Sequence, residues 1–163
     1  MKQPQIIPHK IYDRSSLLHQ VRRWRILGKT IAFTNGCFDI LHQGHIASLS
    51  DAAREADYLV VGVNTDASTR RLKGPLRPVN NQDARATVLA SLLMVDAVVL
   101  FDEDTPLELI KLVEPDVLVK GGDYILDTIV GAKEVMAAGG RVVINPIIPG
   151  FSTTGLIEKI TKL

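Results

Sequence analysis

The sequence predicts an α/β fold in which helices cover both faces of a doubly wound, mostly parallel sheet of five strands. Two observations predict it. Short apolar segments of strand length recur along the chain, and between them apolar residues return at helical spacing. Strands and helices that alternate in this way form parallel sheets, because each helix carries the chain back to the start of the next strand. The predicted strands cover residues 30–35, 58–63, 97–101, 116–120 and 141–145.

Helix signals occur before the first predicted strand and after each strand. The first helix is predicted from Leu17, Val21 and Trp24, with Asp13 as a candidate cap and Gly28 at its end. The remaining helices are expected to begin near Ile46 and Asp66, to cover 83–94, to follow Pro106, to cover 129–138 and to begin near Thr154.

Length and composition indicate one domain. The 163 residues are read as an N-terminal arm and helix, 1–28, followed by a core, 29–163. A net charge of +1 argues against a general nucleic-acid binder. One cysteine and an N-terminus without an apolar leader are typical of a cytoplasmic protein, and no apolar stretch of about 20 residues predicts a membrane span.

Two histidines stand at the start of the second predicted helix, in the turn at 36–45. His42 and His45 are three residues apart, so both imidazoles lie on one side of the helix. Free amides and the helix dipole favour an anion at this end, and Gly36 and Gly44 permit close approach of the backbone. The turn therefore suits phosphate.

Two other interpretations of the histidines remain open. They are a solvated pair at a helix start, or half of a zinc site, although zinc usually takes three or four protein ligands. The sequence assigns no protein ligand to a metal. A dinucleotide or P-loop site is less favoured, because neither glycine-rich signature is present.

The segment at 70–80 combines four basic residues with glycine and proline. We interpret it as a mobile loop that carries cations to a polyphosphate, with Lys73 and Arg77 as the best candidates. Arg85, on the following helix, is the third candidate cation. The alternative is a solubilising loop or a basic patch for nucleic acid.

Polar and glycine residues follow several strands, where ligands of α/β sheets bind. Asn64 and Asp66 are predicted to bind substrate hydroxyls or to cap a helix. The glycines and Asp123 at 121–123 predict a nucleotide contact, with a plain turn as the alternative. The segment at 152–154, rich in hydroxyls, forms a second anion cradle at the start of the last helix.

The turn at 36–45 resembles the signature of the HxGH nucleotidyltransferase superfamily, whose members transfer a nucleotidyl group with a Rossmann-like α/β domain. From about Lys29 onward, the chain resembles the adenylyltransferase domain of bacterial ADP-heptose synthesis. The segments at 71–80 and 119–124 narrow the resemblance to this branch. Further matching blocks lie at 34–45, 64–68, 101–106 and 152–154. Relatives with other substrates often carry an arginine near the last block, and this chain has none there.

The resemblance implies transfer of AMP from ATP to D-glycero-β-D-manno-heptose 1-phosphate, which gives ADP-heptose for lipopolysaccharide core synthesis and releases pyrophosphate. It implies Mg²⁺ bound with ATP, largely through phosphate oxygens and water. Many members are fused to a sugar kinase for which this chain has no room, so a separate heptose kinase is expected. A homodimer through 94–99 is a further expectation, although a core role explains those residues equally well.

Each predicted site residue has an expected role. The catalytic group donates hydrogen bonds and positive charge to the phosphates: His42, His45, Lys73 and Arg85. The nucleotide-binding group lines the cleft: Thr34, Asn35, Gly36, Phe38, Asp39, Gly44, Lys120, Gly121, Asp123, Ser152, Thr153 and Thr154. The substrate-binding group is Asn64, Asp66 and Arg77.

Two other functions compete with this one. The first is a cytidylyltransferase of the same fold, acting for example on glycerol 3-phosphate. The second is a nucleotide-binding module without catalysis.

Overall fold

The computed structural model describes residues 3–122, 124–146 and 150–162. Six strands form one sheet, and every strand pair in these residues is parallel. In chain order the strands are β1 Ile11–Tyr12, β2 Ile31–Gly36, β3 Tyr58–Asn64, β4 Ala97–Phe101, β5 Val117–Gly121 and β6 Arg141–Asn145. The order across the sheet is β1-β4-β3-β2-β5-β6. The doubly wound α/β fold is therefore confirmed.

The predicted number of strands was one too low. All five predicted strands are present, but Ile11 and Tyr12 add a sixth at the edge, where Ile11 pairs with Val98. Two residues are too few to show the alternation that marks a strand in sequence. The segment expected to be an extended arm instead forms short 3₁₀ turns at Pro4–Ile6 and Pro8–Lys10 before this strand.

Seven α-helices lie in the described ranges: α1 Arg14–Ile26, α2 Gln43–Ala53, α3 Asp66–Lys73, α4 Gln82–Ala90, α5 Leu107–Val113, α6 Ala132–Ala137 and α7 Thr153–Ile160. The ends of two helices differ from the predictions. Helix α3 continues through Lys73, so only Arg77 of the four basic residues lies in the loop. Helix α4 ends at Ala90 and not at 94 as predicted, and Leu93, beyond its end, is 96% exposed.

Apolar side chains cover both faces of the sheet. On one face, α1 contributes Leu17 and Trp24, and the Trp24 ring stacks on Tyr58 with centroids 4.3 Å apart. On the other face, α2 and α4 contribute Leu49 and Leu89. Helix α1 thus packs on the same sheet as the rest of the chain. None of the helices in the described ranges is long and apolar enough to cross a bilayer.

The segment expected to supply a dimer contact belongs to this core. Val95, Ala97, Val98 and Val99 are each 0% exposed, and Met94 packs against the cluster that contains Val95 and Val98. The sequence left two roles open for residues 94–99, a dimer contact and a core role. The structure shows the core role.

The sheet order also places the site. From β2 the chain proceeds outward through β3 and β4, and then returns to β5 on the other side of β2. The ends of β2 and β5 therefore flank the point at which the winding reverses, where α/β sheets bind their ligands. The histidine turn follows β2, and Gly121 ends β5.

Candidate active site

A cavity of about 380 Å³ opens beyond the carboxyl ends of β2 and β5. Eleven of the predicted site residues line it: Phe38, Asp39, His42, Gly44, His45, Lys73, Arg77, Gly121, Ser152, Thr153 and Thr154. Four lining residues were not predicted: Cys37, Ser48, Pro146 and Phe151. The turn after β2, the end of α3 and the start of α7 thus meet around one space.

The two histidine rings lie face to face at the start of α2. Their centroids are 3.9 Å apart and their planes meet at 29°. His42 precedes the first turn, and its backbone N–H donates to Nδ1 of His45 at 3.4 Å. A neutral imidazole that accepts at Nδ1 carries its proton on Nε2. His45 is therefore a donor through Nε2.

Burial keeps both imidazoles neutral near pH 7. It lowers the pKa of His42, and it lowers the pKa of His45 to about 4, with a smaller contribution from the neighbouring His42. Buried Nδ1 of His42 has no hydrogen-bond partner among the described residues.

Asp39 fastens the loop at 74–81 to the histidine turn. Its Oδ1 accepts from the backbone amides of Val79 at 2.8 Å and Asn80 at 2.9 Å, and its Oδ2 accepts from Nε of Arg77 at 2.6 Å. Burial alone would raise the pKa of Asp39, but these amides and the Arg77 guanidinium outweigh it, so the pKa lies below its ordinary value. The segment predicted to be a mobile loop is therefore bonded to the turn through a buried carboxylate.

The two cations assigned to catalysis occupy different environments. Lys73, at the end of α3, is exposed and lines the cavity. Arg85 is 2% exposed and lies outside the cavity lining. Its guanidinium donates to Asn80 O at 3.0 Å, to Oδ1 of Asp66 at 2.8 Å and to the carbonyl of Cys37. The predicted contact of Arg85 with phosphate does not fit this placement, because its donors already serve the protein.

Asn64 and Asp66 also serve the protein interior. Asn64 is 3% exposed, and its Nδ2 donates to Oγ of Ser68 at 3.0 Å. Asp66 accepts from Arg85. The cap of α3 is Thr65, between them, whose Oγ1 accepts from the amide of Ser68 at 3.1 Å. Neither predicted substrate ligand lines the cavity.

Thr34, Asn35, Gly36 and Lys120 lie near the ends of β2 and β5 and are not part of the cavity lining. Lys120 donates to Oδ1 of Asn35, and burial lowers the pKa of Lys120 to about 8. Thr34 is buried. The space beside Gly36 is filled by the Phe38 ring, 3.2 Å from where a Cβ would lie. Asp123 lies outside the described residues.

The start of α7 forms the opposite wall. Ser152 caps the helix, and its Oγ accepts from the amide of Gly155 at 3.0 Å. Oγ1 of Thr153 donates to the Ile40 carbonyl in the histidine turn at 3.3 Å. Two helix starts, α2 and α7, therefore meet at one cavity, and both present backbone amides that favour an anion.

The side chains and amides around the cavity present hydrogen-bond donors and positive charge, which suit phosphate. Within the described ranges, no three His, Cys, Asp or Glu residues lie close enough together to hold a metal ion. The carboxylate that lines the cavity, Asp39, uses both of its oxygens in the contacts to the loop.

Comparison with known proteins agrees with this geometry. Residues 33–159 match the family described as cytidylyltransferase-like. The chain is 57% identical over 150 residues to the bifunctional protein HldE of Mesorhizobium japonicum, covering 92% of this chain and 30% of that protein. It is 56% identical over 153 residues to the bifunctional protein HldE of Caulobacter vibrioides, covering 94% of this chain and 32% of that protein. The chain thus spans about a third of the length of these curated relatives.

Solved structures show the same fold. The lipopolysaccharide core biosynthesis protein from Thermoplasma volcanium superposes with a TM-score of 0.59 at 31% identity, covering 74% of this chain and 98% of that one. The pantoate-beta-alanine ligase from Francisella tularensis, complexed with beta-gamma ATP and beta-alanine, has a TM-score of 0.61. At 17% identity, with 94% of this chain and 78% of that one covered, it is a likeness of fold alone. By its sequence match and its relatives, the chain belongs to the cytidylyltransferase-like family of nucleotidyltransferases.

Proposed function

We propose that this chain transfers AMP from ATP to D-glycero-β-D-manno-heptose 1-phosphate, forming ADP-D-glycero-β-D-manno-heptose and releasing pyrophosphate for lipopolysaccharide core synthesis. The observation that carries the proposal is the stacked pair His42 and His45, which faces a cavity shared with Lys73 and the start of α7. The choice of heptose is supported by the segments at 71–80 and 119–124 and by the similarity to HldE proteins and to a lipopolysaccharide core biosynthesis protein.

The reaction is an in-line displacement at phosphorus. An oxygen of the sugar phosphate attacks the α-phosphorus of ATP, a new P–O bond forms, and the bond to the bridging oxygen breaks. Pyrophosphate leaves with that electron pair. The attacking phosphate is already an anion, so the site has no need of a strong general base. Its task is to position two anions and to neutralise the charge that develops.

The residues around the cavity divide that task. Neutral His42 and His45 each donate one N–H to phosphate oxygens and stabilise charge on the transition state and leaving group. Lys73 adds positive charge from the end of α3. The backbone amides and hydroxyls of Ser152–Thr154 bind phosphate from the opposite wall. Gly121 and Lys120, at the end of β5, are proposed to lie beside the base or ribose.

A second set of residues holds these groups in place. Asp39 joins the loop at Arg77 to the histidine turn. Arg85 joins α4 to the turn at Cys37 and to α3 at Asp66. We therefore assign Arg85 a positioning role in place of the direct phosphate contact expected from the sequence.

The nucleotide substrate is proposed to be Mg²⁺–ATP. Mg²⁺ prefers oxygen ligands and retains water, and the triphosphate supplies several such oxygens. The acceptor is proposed to come from a heptose kinase, and the reaction to take place in the cytoplasm.

Release of pyrophosphate tests this function. ATP and Mg²⁺ are supplied with and without heptose 1-phosphate, and CTP with glycerol 3-phosphate forms the parallel arm. Release from ATP that requires the heptose is the expected result. Activity only with CTP and another phosphorylated alcohol would instead establish a cytidylyltransferase, which the description of the matched family favours. ATP binding without release in either arm would indicate a nucleotide-binding module.

A further inference from the structure

Phe151 lies against His42 at the mouth of the cavity, and the function proposed above gives it no role. It immediately precedes Ser152, the cap of α7. Its ring is nearly parallel to the His42 imidazole, with centroids 6.3 Å apart and planes at 24°. The residue is 37% exposed and lines the cavity.

The histidine pair is thus the centre of a row of four rings. Phe38 lies beside His45 at 5.5 Å, His45 stacks on His42 at 3.9 Å, and Phe151 covers His42 at 6.3 Å. Gly44 permits this approach. A Cβ at that position would lie 3.0 Å from Cε1 of His42 and 3.2 Å from Cβ of Phe151.

Ring packing contributes to the orientation of the His42 side chain. Among the described residues no group hydrogen-bonds to buried Nδ1 of His42. The His45 ring stacks on the His42 ring, and the Phe151 ring lies nearly parallel to it with centroids 6.3 Å apart. Loss of the Phe151 ring would leave His42 free to adopt other rotamers, in which its N–H no longer faces the phosphates.

We propose that Phe151 is a positioning residue for nucleotidyl transfer, which holds His42, and through it the stacked pair, in the orientation that donates to phosphate. The proposal rests on the proposed function. A second contact supports it, because Oγ1 of Thr153 binds the carbonyl of Ile40 in the histidine turn. The start of α7 is therefore joined to the turn at two points, and this keeps the second anion cradle in register with the histidines.

The contact has an electrostatic consequence that can be measured without substrate. Burial lowers the pKa of His42, and the Phe151 ring is part of that burial. The charged and titratable groups that share the cavity with His42 are His45 on α2, Lys73 on α3, and Cys37, Asp39 and Arg77 of the turn and loop. A smaller side chain at 151 leaves these five groups unchanged and admits water to the His42 ring. The pKa of His42 then rises toward its ordinary value of 6.5.

The test compares Phe151→Ala with Phe151→Leu, which retains an apolar cover. NMR titration of the imidazole C–H signals gives the pKa of His42 in the full chain without nucleotide. Steady-state kinetics with ATP, Mg²⁺ and heptose 1-phosphate gives kcat and KM. For F151A we expect a higher His42 pKa and a fall in kcat of about tenfold with KM for ATP within about twofold, because orientation is lost while binding groups remain. F151L is expected to retain kcat within about threefold.

Either of two results would overturn the proposal: a His42 titration in F151A that matches the wild type, or an unchanged kcat. Phe151→Val carries the same expectations as F151A and replaces it if the alanine variant fails to fold. The NMR titration is measured without substrate, so its result does not depend on which sugar phosphate is the acceptor. If the wild type releases no pyrophosphate with heptose 1-phosphate, the proposed function fails, while an unchanged His42 pKa in F151A would by itself overturn the role of Phe151.

Discussion

Nε of Arg77 donates a 2.6 Å hydrogen bond to Oδ2 of Asp39, and the side chains of this ion pair are 16% and 1% exposed. Both residues also line the cavity. The pair therefore joins two parts of the chain that are 38 residues apart and forms part of the wall against which phosphate is proposed to bind.

Asp39→Asn is expected to lower the free energy of unfolding by about 2 kcal/mol, because it removes the buried charge that satisfies Arg77 and two backbone amides. Denaturant unfolding measures the change. Asp104→Asn is the matched control. It removes an exposed partner of Arg71, so the expected loss is below about 1 kcal/mol. Equal losses in the two variants would contradict the assignment of the Asp39 contact as a structural anchor.

The contacts of Asp39 with Arg77, Val79 and Asn80 should also make the stability of the protein depend on pH. Its folded pKa lies below the ordinary value of 3.8, so the unfolded chain takes up the proton first as pH falls. The contribution of Asp39 to stability is therefore present above about pH 4 and is lost as pH falls through the folded pKa. Asp39→Asn should reduce the loss of unfolding free energy in this acid range, whereas a wild-type slope in the variant would contradict the expectation.

Arg85 and Lys73 were given similar roles by the sequence, and the structure predicts opposite phenotypes for them. Arg85→Ala leaves Asp66 and two carbonyls without their donor in a buried site, so we expect a loss of about 3 kcal/mol in stability. Lys73→Ala should stay within about 0.5 kcal/mol of wild-type stability but lower kcat/KM at least tenfold. Unfolding curves and pyrophosphate release measured on both variants separate the two roles. A stable Arg85→Ala variant with only a raised KM for ATP would restore the direct contact expected from the sequence.

The lowered pKa of His45 predicts a second effect of pH on the free energy of unfolding, in a different pH range from that of Asp39. In the folded chain its pKa is about 4, against an ordinary value of 6.5, so between these values only the unfolded chain takes up the proton. The free energy of unfolding should therefore fall as pH falls from about 6.5 to 4. His45→Asn should make that decline shallower. Identical slopes for His45→Asn and the wild type would show that His45 is not buried in its neutral form.

Gly44→Ala tests the close packing at the start of α2. The added Cβ would lie 3.0 Å from Cε1 of His42 and 3.1 Å from its Nδ1, so the ring must move. We expect kcat to fall about tenfold, with a stability change below about 1 kcal/mol, because a residue at this edge can shift without leaving a cavity. Gly74→Ala is the contrasting control. A Cβ added at Gly74 would have no atom within 4 Å, but the φ of this residue is +100°. It should reduce stability through backbone strain and leave kcat nearly unchanged.

The parts of this fold that the sequence predicts are those with local signals. Five strands could be predicted from the sequence because a strand that is buried on both faces forms a continuous apolar run, as at Tyr58–Asn64. The histidine pair was visible because its spacing is fixed by the helix. Strand Ile11–Tyr12 was missed because its two residues gain their structure from pairing with β4.

The site residues whose placement differs from expectation are those whose partners are distant in sequence. Arg85 follows a basic segment and was assigned to phosphate, but its carboxylate partner is Asp66, 19 residues earlier on another helix. Nothing in the local pattern distinguishes a buried arginine from an exposed one. Phe151 was missed for the same reason, since its contact with His42 spans more than a hundred residues.

The central claim is that the stacked histidines stabilise the transferring phosphates, and pyrophosphate release by His45→Ala tests it most directly. The variant is compared with the wild type at saturating ATP, Mg²⁺ and heptose 1-phosphate, after unfolding curves show that it is folded. Loss of one donor to the developing charge is expected to raise the barrier by about 2–4 kcal/mol, which slows release roughly 30- to 1,000-fold. Release within about threefold of the wild-type rate would contradict the account.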